Sequence, residues 1–181
     1  MEQKKWLVIN YNLPTEPSRI RVATWRNLKK LGAVNTQQSM WILPYSDDNC
    51  SALASVSQDI RKNSGEAFLM QSVFLDEKDE ERAISYFNRA RDEEYKELIE
   101  KCGDFFAEIE KETARKNFSF AEVEENEEEL DKLLLWYRKI ESRDLFKASL
   151  GKAAKESLDK CKKLLEDFSN TVYEFILGHS L

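Results

Sequence analysis

Residues 6–44 read WLVINYNLPTEPSRIRVATWRNLKKLGAVNTQQSMWILP, and their order decides the fold. Trp6–Tyr11 is almost wholly apolar, which predicts a strand buried on both faces in the middle of a sheet. Leu13-Pro14 ends it, because a residue before proline favours extended backbone. Thr15 to Pro17 starts a helix, with Pro17 tolerated in the first turn. Ile20, Thr24, Leu28 and Leu31 then fall on one side at helical spacing, and Gly32 stops the helix as a left-handed cap. Ala33–Thr36 and Ser39–Leu43 form two short strands around Gln37-Gln38, and Pro44 closes the second.

Further along, Asp47 or Asp48 caps a second helix that runs to about Asn63 with Leu53, Val56 and Ile60 facing inward. Ser64-Gly65 breaks it. Residues 66–75, EAFLMQSVFL, read as a fourth strand. The order β-α-β-β-α-β is the ferredoxin-like arrangement.

The composition changes after Asp76. Residues 79–115 are charged and free of proline, with Ile84, Phe87, Leu98, Cys102, Phe105 and Ile109 as an apolar stripe and Gly103 as a point of kinking or breakage. Ser119-Phe120-Ala121-Glu122 has the capping-box pattern. It opens a helix with Leu130, Leu133, Leu134, Tyr137 and Ile140 on one face. Ser142 to Gly151 is a turn region. The last helix carries Ala154, Leu158, Cys161, Leu165, Phe168, Val172 and Phe175 in alternating steps of four and three. From Gly151 to Ile176 it spans roughly 39 Å at 1.5 Å per residue. So long a helix is stable in water only if its stripe is buried. The fold class expected is therefore α+β: a ferredoxin-like βαββαβ domain over 1–76, then a long-helix hairpin or bundle over 77–181.

At 34% charged residues the chain exceeds the roughly 25% of an average domain, as expected of long helices with solvated faces. The net charge of −6 is unevenly spread. Residues 1–75 hold nine basic and six acidic side chains, so the acidic excess lies in the remainder. Such asymmetry fits a local basic binding surface on an otherwise acidic protein. Cys50, Cys102 and Cys161 are widely spaced with no CxxC pair, as expected of reduced thiols. No apolar leader precedes Trp6, and no run approaches the 18 or so residues that span a bilayer. The expectation is a cytoplasmic protein with no membrane partner.

The segment that points to function is the first helix. Arg19, Arg26 and Lys30 lie within about 40° of one another at 100° per residue, flanking the apolar face. Arg21 points to another side, Lys29 lies between, and Trp25 and Trp41 add aromatic surface. Three cations in one stripe can track phosphates, and arginine forks also hold compact oxyanions. A solvated helix face accounts for the same residues equally well.

Other chemistries have less support. A two-metal phosphodiesterase needs carboxylates at the end of the first strand. The residue there is Asn12, with Glu16 on the following loop, which argues against a divergent metal nuclease. The acidic run Glu122, Glu124, Glu125, Glu127, Glu128 and Glu129 winds round a helix and does not converge on one ion, and it suits a helix start. His179 is the one histidine and lies near the terminus, so a Ser–His or Cys–His pair is not expected. No Gly-rich phosphate loop, zinc pattern or dinucleotide fingerprint is present. By elimination the reading is a non-enzymatic binding or regulatory protein without a cofactor.

The segments WLVINYNLPTEPSRIRVATWRNLKKLGA, QQSMWILP and ETARKNFSFAEVEENEEELDKLLLWYRKIESRDLF resemble the N-terminal domain of the chromate-resistance regulator family ChrB. The resemblance runs from about Trp6 to Val172. The first segment is also similar to the ferredoxin-like domain of PaaX-type repressors and, more distantly, to the small dimeric CRISPR integration subunit. In that last group the first strand usually ends in Asp, where this chain has Asn12. The resemblance implies a chromate-responsive transcriptional regulator whose N-terminal region contacts DNA and is followed by a separate C-terminal domain. The sequence ends at Leu181 without that domain, which argues against chromate sensing by these residues alone. No helix-turn-helix signature is present. DNA binding is thus expected through Arg19, Arg21, Arg26, Lys29 and Lys30 of a homodimer. A chromate or sulfate sensor or accessory protein using the same arginines is the alternative.

Overall fold

The computed structural model describes residues 4–178, and His179 lies outside them. The elements run β1 (Trp6–Asn12), α1 (Ser18–Lys30), β2 (Val34–Gln37), β3 (Met40–Pro44), α2 (Asp47–Lys62), β4 (Glu66–Ser72), α3 (Glu77–Arg115), α4 (Phe120–Glu141) and α5 (Gly151–Gly178). They form two compact units, 1–90 and 91–181, whose boundary falls inside α3.

The first unit is an antiparallel sheet in the order β2-β3-β1-β4, the order of a ferredoxin-like domain. On one face Leu7 and Ile9 of β1 stand beside Leu43 and Trp41 of β3 and beside Gln71 and Leu69 of β4. Helix α2 packs on β1 and β4, and α1 packs beside α2. Thr24 and Leu28 of α1 and Leu53, Val56 and Ile60 of α2 are buried. On the other face the fully buried Trp6 meets Phe74 edge-on at 5.5 Å and Phe87 of α3 at 5.8 Å between ring centroids. Both faces of β1 are therefore covered, but only over its first half. Asn10 and Asn12 are exposed, so the strand is not buried on both faces to Tyr11.

Strands β2 and β3 each sit one residue later than the sequence reading places them, and three other boundaries differ for local reasons. Pro17 is the residue before the first turn of α1, in extended backbone, and gives α1 no side-chain cap. Ser46, not Asp47 or Asp48, caps α2, its hydroxyl accepting from the Asn49 N–H at 3.1 Å. The two aspartates occupy the first turn, where they complement the helix dipole. Strand β4 ends at Ser72 instead of Leu75, because Phe74 turns under the sheet to reach Trp6.

Two similar C-terminal locks end α1 and α2. After α1, Gly32 takes φ 82°. Its N–H donates to the Lys29 carbonyl at 3.0 Å and the Ala33 N–H to the Leu28 carbonyl at 3.1 Å, the paired bonds of a Schellman motif. After α2, Ser64 takes the left-handed position at φ 61° and Gly65 donates to Ile60. A Cβ on Gly65 would lie 2.6 Å from the Asn12 carbonyl oxygen and 2.8 Å from both Ile60 and Leu13. Glycine is required there by the close approach of β1.

The second unit is a bundle of the C-terminal part of α3 with α4 and α5. Its core joins Leu98, Cys102, Phe105 and Ile109 to Leu130, Leu133 and Ile140, and to Ala154, Leu158, Cys161, Leu165, Phe168 and Val172. The predicted stripe of α5 is buried throughout except for the half-buried Phe175. Gly103 neither ends nor interrupts α3, which runs unbroken for 39 residues. That glycine sits on the exposed side, with no atom within 4 Å of a notional Cβ. Ser119 caps α4 by accepting from the Glu122 N–H at 3.3 Å, while the Glu122 carboxylate accepts from Asn117 at 2.8 Å.

Candidate nucleic-acid interface

Helix α1 carries Arg19, Arg21, Arg26, Lys29 and Lys30 and no acid in 13 residues. Its inward side is Thr24 and Leu28. Arg19, Arg26 and Lys30 lie about 160° round the helix from those two, so they form the solvent-facing pole and do not flank the apolar face. All three are exposed. Their Cα atoms rise along the axis over roughly 16 Å at 1.5 Å per residue. Arg21 is exposed on a different side of the helix. Lys29 is half-buried, its ammonium 5.4 Å from the centroid of the Trp25 ring. Trp25 is 48% exposed, whereas Trp41 is 3% exposed on the helix-covered face of the sheet. Trp41 therefore adds no surface to the stripe.

Among the described residues, Arg19, Arg21, Arg26 and Lys30 form no ion pair. Several cations elsewhere are neutralised locally. Lys62 pairs with Asp59, Arg82 with Asp79, Lys101 with Asp104, Lys132 with Glu129 and Lys162 with Asp159, each three residues away. Arg61 donates to the Ala67 carbonyl at 2.8 Å. Among the described residues Arg19, Arg26 and Lys30 are thus left to solvent, and a convex row of such cations attracts an extended polyanion. Lys29 and Lys30 in the last turn also complement the helix dipole.

The other sequence candidates fall elsewhere. Asn12 is exposed at the end of β1, paired in register with Glu66. Among the described residues no three His, Cys, Asp or Glu side chains are placed to hold a metal ion. Glu122, Glu125, Glu128 and Glu129 of the acidic run line a groove of about 690 Å³ with Asp104, Glu108 and Glu112 of α3, their spacing placing them on one side of α4, but they do not gather at a single ion among the described residues.

Two polar arrangements in the second unit were not anticipated. Cys102 and Cys161, distant in sequence, meet in the bundle core, with the Cys161 thiol 4.0 Å from the Cys102 carbonyl oxygen. Its hydrogen bond with Cys102 and its burial hold Cys161 far above the ordinary thiol range. The second is the anchor of the α4–α5 loop. Arg143 reaches Glu94 at 3.2 Å, the Tyr95 hydroxyl donates to Asp144 at 3.2 Å, and Asp92 accepts from the Leu150 N–H at 2.8 Å. The buried Arg91 approaches Glu94 at 3.0 Å, but off the N–H direction, so the two are in ionic contact without a hydrogen bond between them. Burial lowers the Arg91 pKa, and Glu94 partly offsets it.

Comparison with protein families matches residues 21–179 to the family described as "Protein ChrB, N-terminal". The chain belongs to the ChrB N-terminal family. The match takes in Arg21, Arg26, Lys29 and Lys30, while Arg19 and β1 precede it. Protein ChrB of Cupriavidus metallidurans (strain ATCC 43123 / DSM 2839 / NBRC 102507 / CH34) is 26% identical over 85 residues. That similarity covers 47% of this chain and 26% of the relative, so this chain matches about a quarter of that protein's length. No solved structure matches the chain significantly. Among the described residues no helix is long and apolar enough to cross a membrane.

Proposed function

We propose that this chain belongs to a regulator of chromate resistance and contacts DNA, without catalysis of its own, through the outer pole of α1. The observation that supports the reading is the acid-free row Arg19–Arg26–Lys30, exposed and without an ion pair among the described residues, on a protein whose net charge is −6. An overall acidic protein is repelled by DNA unless a patch of local positive potential faces it. The exposed Trp25 lies about 120° round the helix from that row, with Lys29 between them.

The same residues suit a compact oxyanion less well. Bidentate capture of chromate or sulfate is strong where arginine forks converge in a site shielded from water. Here the cations stand on the convex side of one helix. The experiment is fluorescence anisotropy with labelled duplex DNA across 50–200 mM salt, alongside calorimetry with chromate and with sulfate. Three phosphate contacts give a slope of log K against log salt of about −2.7. Affinity then falls roughly 40-fold over that range. Salt-independent binding, or anion binding lost on Arg26→Ala without any DNA affinity, overturns the reading.

A further inference from the structure

The two edges of the sheet are unlike. Strand β2 is four residues long and its pairing with β3 is disrupted between Asn35 and Gln37. Short, irregular edge strands are poor templates for another strand. Strand β4 is seven residues long and pairs regularly with β1 along its whole length. From Ala67 to Leu75 there is no charge, glycine or proline, in a chain that is 34% charged. Phe68 is 66%, Met70 48% and Leu75 96% exposed.

The register shows which groups of β4 are open. The Tyr11 N–H donates to the Ser39 carbonyl on the β3 side. Odd-numbered residues of β1 therefore bond toward β3 and even-numbered ones toward β4, since successive peptides alternate direction. Asn10 and Val8 pair with Phe68 and Met70, so those two residues bond inward. Ala67, Leu69 and Gln71 present their N–H and C=O groups at the edge, and the Ala67 carbonyl already accepts from Arg61. The Phe68 and Met70 side chains stand on the face opposite α1 and α2.

We infer that β4 is a self-association edge, pairing antiparallel with β4 of a second copy about a two-fold axis at Leu69. This inference does not depend on DNA binding. In that register Leu69 faces its own copy, Ala67 faces Gln71 and Phe68 packs against Met70 on each side of the axis. The patch is thus its own complement, as a two-fold interface requires; Ala67–Gln71 carry no charge, and the Arg61 guanidinium on the Ala67 carbonyl borders the edge. Phe68, Met70, Val73 and Leu75 together offer on the order of 400 Å² of apolar side chain. That is about half of the ~800 Å² per partner in a standard interface, with the strand backbone and its polar neighbours supplying more.

Sedimentation equilibrium at 10–100 µM tests this. The wild type should sediment at twice its chain mass of 21.2 kDa, and Phe68→Lys/Met70→Lys at the single-chain mass with an unchanged circular-dichroism spectrum. In a Cys50→Ser background, Leu69→Cys should form a disulfide-linked dimer under mild oxidation, and Gln71→Cys, off the axis, should not. A monomeric wild type at 100 µM, an undiminished dimer in the lysine variant, or equal cross-linking at positions 69 and 71 overturns the inference.

Discussion

The Trp6 indole N–H donates to the Glu80 carboxylate at 2.7 Å, joining the first residue of β1 to the first turns of α3 across 74 residues of sequence. The ring itself is fully buried against Phe74 and Phe87. One side chain thus contributes both apolar burial and a charge-assisted hydrogen bond to the sheet face that α1 and α2 leave uncovered. Trp6→Phe keeps most of the burial and should cost about 1–3 kcal/mol for the lost charged hydrogen bond. Trp6→Ala also leaves a cavity and should cost about 3–5 kcal/mol. Urea unfolding of the two variants separates these contributions.

The Ser64-Gly65 turn gives a paired prediction of opposite sign. Gly65→Ala places a Cβ against the Asn12 backbone oxygen, which cannot rotate away. It should destabilise by about 1–3 kcal/mol. Ser64→Gly relieves a left-handed conformation at φ 61° and should stabilise by up to about 1 kcal/mol. Thermal melts of both variants check the pair, and a stable Gly65→Ala would show that β1 and the end of α2 are less tightly apposed.

How far these features could be read from sequence depends on their range. The α5 stripe was legible because seven apolar residues keep one helical period, and the cap at Gly32 because glycine is favoured at a left-handed position. Ser46 was not distinguishable from Asp47 and Asp48, since serine and aspartate both cap helices and helix geometry alone selects among the three positions. Trp41 was misplaced because a strand residue's face follows from register, and a shift of one residue exchanges the faces. The α1 cations were found as residues, but their position opposite Thr24 and Leu28 needed the inward side to be fixed. Cys102 with Cys161, and Glu94 with Arg143, meet only through tertiary packing and leave no local pattern.

Glu94 holds two arginines, so removing it should be costly. Glu94→Ala leaves Arg91 buried without its counter-charge and should destabilise by about 3–5 kcal/mol. Arg91→Met removes the charge together with its need for a partner and should cost much less. A urea titration of both variants decides this, and equal losses would contradict the account of Arg91.

The bundle should weaken in alkali. Burial, then the hydrogen bond to Glu141, pushes the Tyr137 hydroxyl up to about 12 from an ordinary value of 10. The unfolded chain therefore releases this proton first. The contribution is complete below pH 10 and is lost as pH rises to about 12. The urea midpoint should fall above pH 10, and Tyr137→Phe should flatten that fall.

The most direct test of the central claim compares the salt dependence of DNA binding between the wild type and Arg26→Ala/Lys30→Ala. Both substituted positions are exposed and unpaired among the described residues, so folding should be unaffected. Losing two phosphate contacts should make the slope of log K against log salt shallower by about 1.8. The affinity at 50 mM salt should fall with it. A variant that binds DNA with the wild-type slope and affinity would contradict the assignment of α1 as the DNA-contacting surface.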